Sequence, residues 1–151
     1  MIISKSNEPM GFIDLFDYDE HNNRAGVSIV LVDTYRQKGY GKDALNLLVK
    51  YSFDKLFIHQ LYCNVLEDNF ASICLFESVG FTKVGIKKEW RYYKGVFKNE
   101  YLFSVSYIIF FSSKSGTYFE IISSIFIGSE AIKQDFIFNN LTLRFLILKK
   151  L

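Results

Sequence analysis

The residues whose types and spacing are best suited to binding a ligand are the consecutive Arg36-Gln37-Lys38-Gly39-Tyr40-Gly41-Lys42. They follow a predicted strand and open a predicted helix. Glycine at Gly39 and Gly41 lets the backbone turn tightly and approach a ligand with no Cβ atom in the way. The amides and the dipole at a helix start favour an anion, and three basic side chains add positive charge. The spacing predicts a phosphate or pyrophosphate site; the alternative is a basic turn before a helix.

The elements that must position this segment can be predicted from hydrophobic periodicity and turn residues. The helix over 42–56 has one apolar face, made by Ala44, Leu45, Leu48, Tyr51 and Ser52. A second helix, over 70–79, has Asp68 or Asn69 as its N-cap and Gly80 at its end. The predicted strands cover residues 12–18, 25–32, 61–66, 81–84 and 96–105. This order predicts an α/β or α+β domain with a mixed sheet.

Composition narrows the class of protein. A chain of 151 residues fits one domain, and a net charge of +2 gives no reason to expect a nucleic-acid partner. Cys63 and Cys74 lack metal-ligand spacing and are interpreted as buried, reduced thiols of a cytoplasmic protein. His21 and His59 are isolated, so no metal site is predicted. No signal peptide or membrane span is predicted either.

Two segments together resemble the GNAT family of N-acetyltransferases. Arg-x-x-Gly-x-Gly at 36–41 matches the family's pyrophosphate-binding pattern, and Asn69 to Phe81 is similar to its helix ending in Gly-Phe. Within that family, residues 11–103 look most like diamine/spermidine N-acetyltransferases and ribosomal-protein N-terminal acetylases. The resemblance implies a mixed, mostly antiparallel sheet flanked by helices, with residues 1–105 forming a partial domain.

The resemblance also implies acetyl-coenzyme A as the co-substrate. Ile29, Val30 and Leu31 would form the strand that pairs with the pantetheine arm, and one of its amides would polarise the thioester carbonyl. Further cofactor contacts would come from residues 36–42 and from Asn69, Ser72 and Phe76. The expected reaction is direct attack of a primary amine while both substrates are bound, as in an acyltransferase acting on a polyamine, a diamine or a protein N-terminus.

A base, or a chain of water molecules, must remove the proton of the amine before it attacks. Asp14, Asp17 and Glu67 are the candidates for this base or for contacts to a cationic acceptor; the alternative for these carboxylates is a solvated strand-end charge. Many family members protonate the departing thiolate with a tyrosine where this chain has Phe76. Water would then take over that role, and Phe76 would pack on pantetheine or in the core.

The ends of the chain depart from the family pattern. A complete member has roughly seventy further residues before this segment, so the first strand is expected at a sheet edge. Residues 106–151 are expected to be an unrelated tail, either an out-of-frame extension or a sequence grafted from elsewhere. The alternative is that this tail covers the exposed edge. Within it, residues 121–128 could form a strand and residues 141–148 a strand or a helix. The alternative function is a catalytically weak or inactive acetyl-coenzyme A-binding fragment that dimerises through the open edge; a third is a non-functional gene product.

Overall fold

The structure is a computed structural model that describes residues 1–4, 7–108, 110, 143–144 and 147–148. This part of the chain forms a sheet, two α-helices and one short 3-10 helix. In chain order the elements are β1 (Ile2–Ile3), β2 (Pro9–Asp19), β3 (Arg24–Leu31), the 3-10 helix (Asp33–Tyr35), α1 (Tyr40–Asp54), β4 (Gln60–Leu66), α2 (Phe70–Glu77), β5 (Thr82–Tyr93), β6 (Val96–Ser106), β7 (Leu143–Arg144) and β8 (Ile147–Leu148).

The strands lie in the order β5-β6-β4-β3-β2-β1-β8, and β7 pairs with β2. Neighbouring strands are antiparallel except for β3 with β4 and β1 with β8, which are parallel. The prediction of an α+β domain with a mixed, mostly antiparallel sheet is therefore confirmed.

The prediction that the first long strand forms an open sheet edge is wrong. On the side away from β3, β2 pairs with β1 at Gly11 and with β7 at Asp14 and Leu15. The unpaired backbone groups of an exposed long strand are a template for pairing, and here residues from both ends of the chain pair with them. The possible strand at 121–128 lies outside the described residues, whereas 141–148 contributes β7 and β8.

The core lies on one face of the sheet, where both helices pack. Buried residues recur at every second position, as expected for strands with one covered face; they include Ile13 and Leu15 in β2 and Leu61, Cys63 and Val65 in β4. The buried face of α1 consists of Gly41, Ala44, Leu45, Leu48, Val49, Ser52 and Phe53. Tyr51, predicted on that face, is instead 41% exposed, because the buried stripe runs through positions 49 and 53.

The packed core continues past the predicted domain boundary at residue 105. Phe110 is 2% exposed, and its ring centroid lies 5.5 Å from that of Phe53. The amide of Tyr107 also donates to the carbonyl of His59 at 3.1 Å. The residues after β6 thus close the end of α1. Within the described ranges, no helix combines the length and the hydrophobicity that a membrane crossing requires.

Candidate active site

Strands β3 and β4 separate soon after they meet. They pair in parallel at three positions only, Arg24 with Gln60, Ala25 with Leu61 and Gly26 with Tyr62. Beyond these pairs β3 continues to Leu31 beside β2, while β4 continues to Leu66 beside β6. The two strands therefore diverge and leave an opening between them, called here the β3–β4 cleft.

The hydrogen-bond phase of the sheet shows which backbone groups of β3 face this cleft. The amide of Val32 donates to the carbonyl of Met10 in the β2 segment at 2.9 Å. Because alternate residues of an antiparallel ladder point to opposite sides, Val27, Ile29 and Leu31 direct their amides and carbonyls away from β2. The Leu31 carbonyl agrees with this phase, since it accepts from Arg36 Nε at 3.0 Å.

Of the three residues predicted to pair with an extended ligand, only two have backbone groups that face the cleft. Ile29 and Leu31 do so, whereas Val30 is bonded toward β2 and has a 61% exposed side chain. Val27 adds a cleft-facing carbonyl that sequence reasoning missed, while its amide serves the last β3–β4 pair, Gly26 with Tyr62. Counting every second residue along β3 would have found it, once the residues that bond β2 were known.

The mouth of the cleft is formed by the start of α1. A Cβ atom on Gly41 would lie 3.2 Å from Leu31 Cδ1 and 3.4 Å from Leu75 Cδ2, so the first turn packs tightly between β3 and α2. Gly41 thus serves helix packing, whereas the conformation of Gly39, with φ +84°, is one that glycine adopts without strain. Gln37 also has a positive φ of 59°.

This loop geometry suits an anion. The N-cap Gly39 provides no side-chain acceptor, and the amides of a first helical turn have no carbonyl acceptor within the helix. Left-handed residues alternating with right-handed ones bring successive amides to one concave side, a known form of anion site. The segment 36–42, predicted to bind phosphate from the spacing of its glycines and basic residues, lies at the open end of the β3–β4 cleft, beside Leu31.

The basic side chains of the loop have different environments. Arg36 braces the loop, since Nε bonds the Leu31 carbonyl and Nη1 lies 2.9 Å from Asp33 Oδ1. Lys38 Nζ lies 6.0 Å from the centroid of the Tyr35 ring. Within the described residues Lys38 and Lys42 form no ion pair, so their charges are available to an anionic ligand.

Helix α2 contributes a capping group and a core residue. Asn69 Oδ1 accepts from the amide of Ser72 at 3.2 Å, which confirms Asn69 as the N-cap. Phe76 is 4% exposed, and its ring centroid lies 5.1 Å from that of Phe81. Phe76 therefore packs in the core, the second of its two predicted roles, and has little surface for a ligand.

The three candidate carboxylates are not brought together. Glu67 Oε1 and Oε2 accept from the backbone and side-chain amides of Asn99, each at 2.9 Å. Glu67 lies just past the end of β4, five positions from Tyr62 at the closed end of the cleft, which is roughly 16 Å at the usual strand rise. This distance and the two hydrogen bonds from Asn99 weigh against Glu67 as the base.

Asp14 and Asp17 lie on β2, beside the closed end of the cleft. Asp17 has φ +50°, within an irregularity of the β2–β3 register, and its Oδ2 accepts from the Tyr62 hydroxyl at 2.6 Å. Burial and this bond raise the pKa of Tyr62 to about 12. Asp14 Oδ1 is buried and has no hydrogen-bond partner among the described residues. Sequence reasoning missed the contact with Tyr62 because the two residues are 45 positions apart.

The prediction that both cysteines are buried is correct for only one of them. Cys63 is buried in β4, as expected, and burial raises the pKa of its thiol. Cys74 is exposed on α2, so only one of the two cysteines is a core residue.

Comparison with known proteins links this geometry to one family. The family model described as "Acetyltransferase (GNAT) domain" matches residues 1–82. The chain is 27% identical over 104 residues to the SPbeta prophage-derived uncharacterized N-acetyltransferase YokL of Bacillus subtilis, which covers 69% of this chain and 59% of that protein. It is 26% identical over 76 residues to the spermidine N(1)-acetyltransferase of Vibrio cholerae, covering 50% of this chain and 44% of the relative.

Solved structures share the fold. The spermidine N-acetyltransferase from Vibrio cholerae in complex with CoA and spermine superposes with a TM-score of 0.69 at 20% identity, covering 72% of this chain and 64% of that one. The chain spans about three fifths of the length of the first two curated relatives, YokL and the N-acetyltransferase p20 of Bacillus licheniformis (59% of each).

Proposed function

This chain belongs to the GNAT acetyltransferase family, and we propose that it transfers an acetyl group from acetyl-coenzyme A to a primary amine. The observation that carries the proposal is the β3–β4 cleft, which ends at the amides of the α1 start. A long ligand with an extended amide arm and an anionic head matches both ends of this cleft. The Vibrio cholerae relative named above was solved with CoA, which has this chemistry.

The backbone of β3 would hold the pantetheine arm. Ile29 and Leu31 direct their amides and carbonyls into the cleft and Val27 adds its carbonyl, as a strand does toward a missing neighbour. The amide groups of pantetheine would complete this half-ladder. Its pyrophosphate would then reach the loop 36–42, with Lys38 and Lys42 nearby and Gly39 at the helix start.

The proposed reaction needs few side-chain groups. The lone pair of the neutral amine attacks the thioester carbonyl, a C–N bond forms, the C–S bond breaks, and coenzyme A leaves as a thiolate. A cleft-facing amide of β3, for which Ile29 is the central candidate, would donate to the developing oxyanion. The proton lost by the amine and the proton gained by the thiolate pass through water or a carboxylate, because Phe76 is buried and carries no proton to donate.

The acceptor would approach from the sheet face opposite the helices. Asp14 and Asp17 lie at this face beside the closed end of the cleft, and both remain the candidates for the base or for acceptor contacts. A carboxylate attracts a cationic amine, and the relatives named for spermidine act on such an amine. We therefore propose a polyamine or diamine as the acceptor, with a protein N-terminus as the alternative.

A second candidate function is acetyl-coenzyme A binding without efficient turnover. The buried Phe76 favours it, since the cleft is formed but the residue at that position supplies no acid. Dimerisation through an open β2 edge is not part of this candidate, because β1 and β7 pair with that edge.

Calorimetry with acetyl-coenzyme A, followed by an assay of thiol release, separates these functions. We expect micromolar binding and release of coenzyme A with spermidine or with a peptide bearing a free N-terminus. Binding without release would support the second candidate, and no binding would contradict both.

A further inference from the structure

Three adjacent strands bring two aromatic rings together over a glycine. Phe16 in β2 pairs with Gly26 in β3, which pairs with Tyr62 in β4. A Cβ atom on Gly26 would lie only 2.4 Å from Phe16 Cζ, so the ring of Phe16 covers Gly26 directly. The centroids of the Phe16 and Tyr62 rings are 6.1 Å apart at 72°, an edge-to-face contact.

A carboxylate stands beside these rings. The irregularity of β2 after Phe16 gives Asp17 a left-handed backbone and turns its side chain toward Tyr62, an effect typical of bulges. The Tyr62 hydroxyl holds Oδ2 of Asp17 at 2.6 Å. The guanidinium of Arg24 pairs with Asp19, at 3.0 Å, rather than with this carboxylate. Within the described residues Asp17 forms no ion pair.

From this arrangement we infer that Phe16, Asp17 and Tyr62 form a seat for an alkylammonium group of the acceptor, with Tyr62 as a positioning residue. The inference rests on the proposed acetyl transfer. A carboxylate next to aromatic rings attracts an alkylammonium through charge and through the ring quadrupoles, while an anion would be repelled. The hydroxyl of Tyr62 fixes the carboxylate in one orientation, so less conformational freedom is lost when the cation binds.

The position of this ammonium seat indicates which nitrogen it takes. Gly26 and Tyr62 form the last pair before the strands diverge, and Ile29 lies three residues further along β3, about 10 Å at the usual strand rise. A carboxylate stabilises the protonated amine, which does not attack a thioester. The seat therefore holds a second cationic group of the acceptor while another nitrogen reacts near Ile29.

The test compares spermidine with propylamine as acceptors at constant ionic strength. Tyr62→Phe and Asp17→Asn should each raise KM for spermidine about 10-fold, the value of one lost charge-assisted bond. In Tyr62→Phe, which leaves the candidate base in place, the turnover at saturating spermidine, the KM for propylamine and the affinity for acetyl-coenzyme A should change less than about twofold, because the seat acts on the distant cation only.

Tyr18→Phe and Asp68→Asn are the matched controls. Tyr18 donates to Asn23 and Asp68 pairs with Lys98, so each control repeats the chemical change without touching the seat. Unchanged spermidine KM in both seat variants, with acetyl-coenzyme A binding intact, would overturn the inference and leave the proposed function standing. If the wild-type chain does not bind acetyl-coenzyme A, that result would instead count against the proposed function. If no amine turns over, calorimetric titration of spermidine into the coenzyme A complex decides, and absence of binding overturns the seat.

Discussion

At the scale of single residues, burial decides which groups can react. Cys63 and Cys74 have the same side chain, but one lies in the core beneath the sheet and the other on the surface of α2. Burial raises the pKa of the Cys63 thiol because the thiolate would lose its hydration. The thiolate is the reactive form, so the two cysteines should differ strongly in reactivity.

We expect a mild maleimide or disulfide reagent at neutral pH to modify one thiol per folded chain and two after denaturation. Peptide mapping should place the first modification at Cys74, and Cys74→Ser should abolish labelling of the folded protein. Rapid labelling of Cys63 under native conditions would contradict the burial of β4.

Tyr62 should make stability depend on pH in the alkaline range. Its pKa in the folded chain is raised to about 12, by burial first and by the bond to Asp17 second. Because the folded-state pKa lies above the unfolded value of about 10, the stabilising contribution is complete below pH 10 and is lost as the pH rises toward 12.

The measurement is the free energy of urea unfolding for the wild type and for Tyr62→Phe from pH 8 to pH 12. The wild type should lose more stability than the variant above about pH 10. Parallel curves throughout would show that the Tyr62 hydroxyl does not have the environment described for it.

At the scale of elements, local patterns predicted much of the fold. Turn chemistry and period indicated the helix after Gly39, and α1 begins at Tyr40, two residues before its predicted start. The cap Asn69 was also within reach of sequence reasoning, since its side chain bonds an amide three residues away. Both signals lie within a few residues of the element they define.

Long-range pairing could not be read in the same way. The divergence of β3 and β4 depends on which positions pair across the sheet, and the sequence of either strand alone does not determine this register. The contact of Asp17 with Tyr62 needs both the register and a bulge, and the edge position predicted for β2 failed because residues 2–3 and 143–144 pair with it.

The start of α1 can be tested with two glycines of similar conformation. Gly39 and Gly95 have φ values of +84° and +86°, and a Cβ atom on either would meet no neighbour within 4 Å. Aspartate should therefore strain the backbone equally at both positions. Only Gly39→Asp places a negative charge at the proposed phosphate site.

Calorimetry should show that Gly39→Asp weakens acetyl-coenzyme A binding by at least about 30-fold, equivalent to about 2 kcal/mol of charge repulsion. Gly95→Asp should leave the affinity within about twofold, because it lies in the β5–β6 turn. Equal losses of affinity in the two variants would point to strain or unfolding as the cause. They would contradict the proposal that this loop binds the phosphate.

At the scale of the whole molecule, the residues after β6 belong to the packed structure. Phe110 is almost completely buried against Phe53, which lies near the end of α1. The domain matched to known acetyltransferases therefore depends on a segment beyond the predicted boundary at residue 105.

Phe110→Ala should lower the free energy of unfolding by about 3–5 kcal/mol, the usual cost of removing a buried phenylalanine. Ile108→Ala is the control, because Ile108 is 45% exposed and its loss should cost below about 1 kcal/mol. Urea denaturation measures both, and a Phe110 variant as stable as the control would show that the core ends earlier.

The divergence of β3 and β4 also has a consequence for how the backbone exchanges its hydrogens. The amides of Ile29 and Leu31 face the cleft, while those of Ser28 and Val30 bond toward β2. Deuterium should therefore enter this part of β3 with a period of two, fast at 29 and 31 and slow at 28 and 30. Saturation with acetyl-coenzyme A should abolish this alternation. The exchange rates of these cleft-facing amides, measured by residue-resolved nuclear magnetic resonance, would then report whether the cleft is occupied.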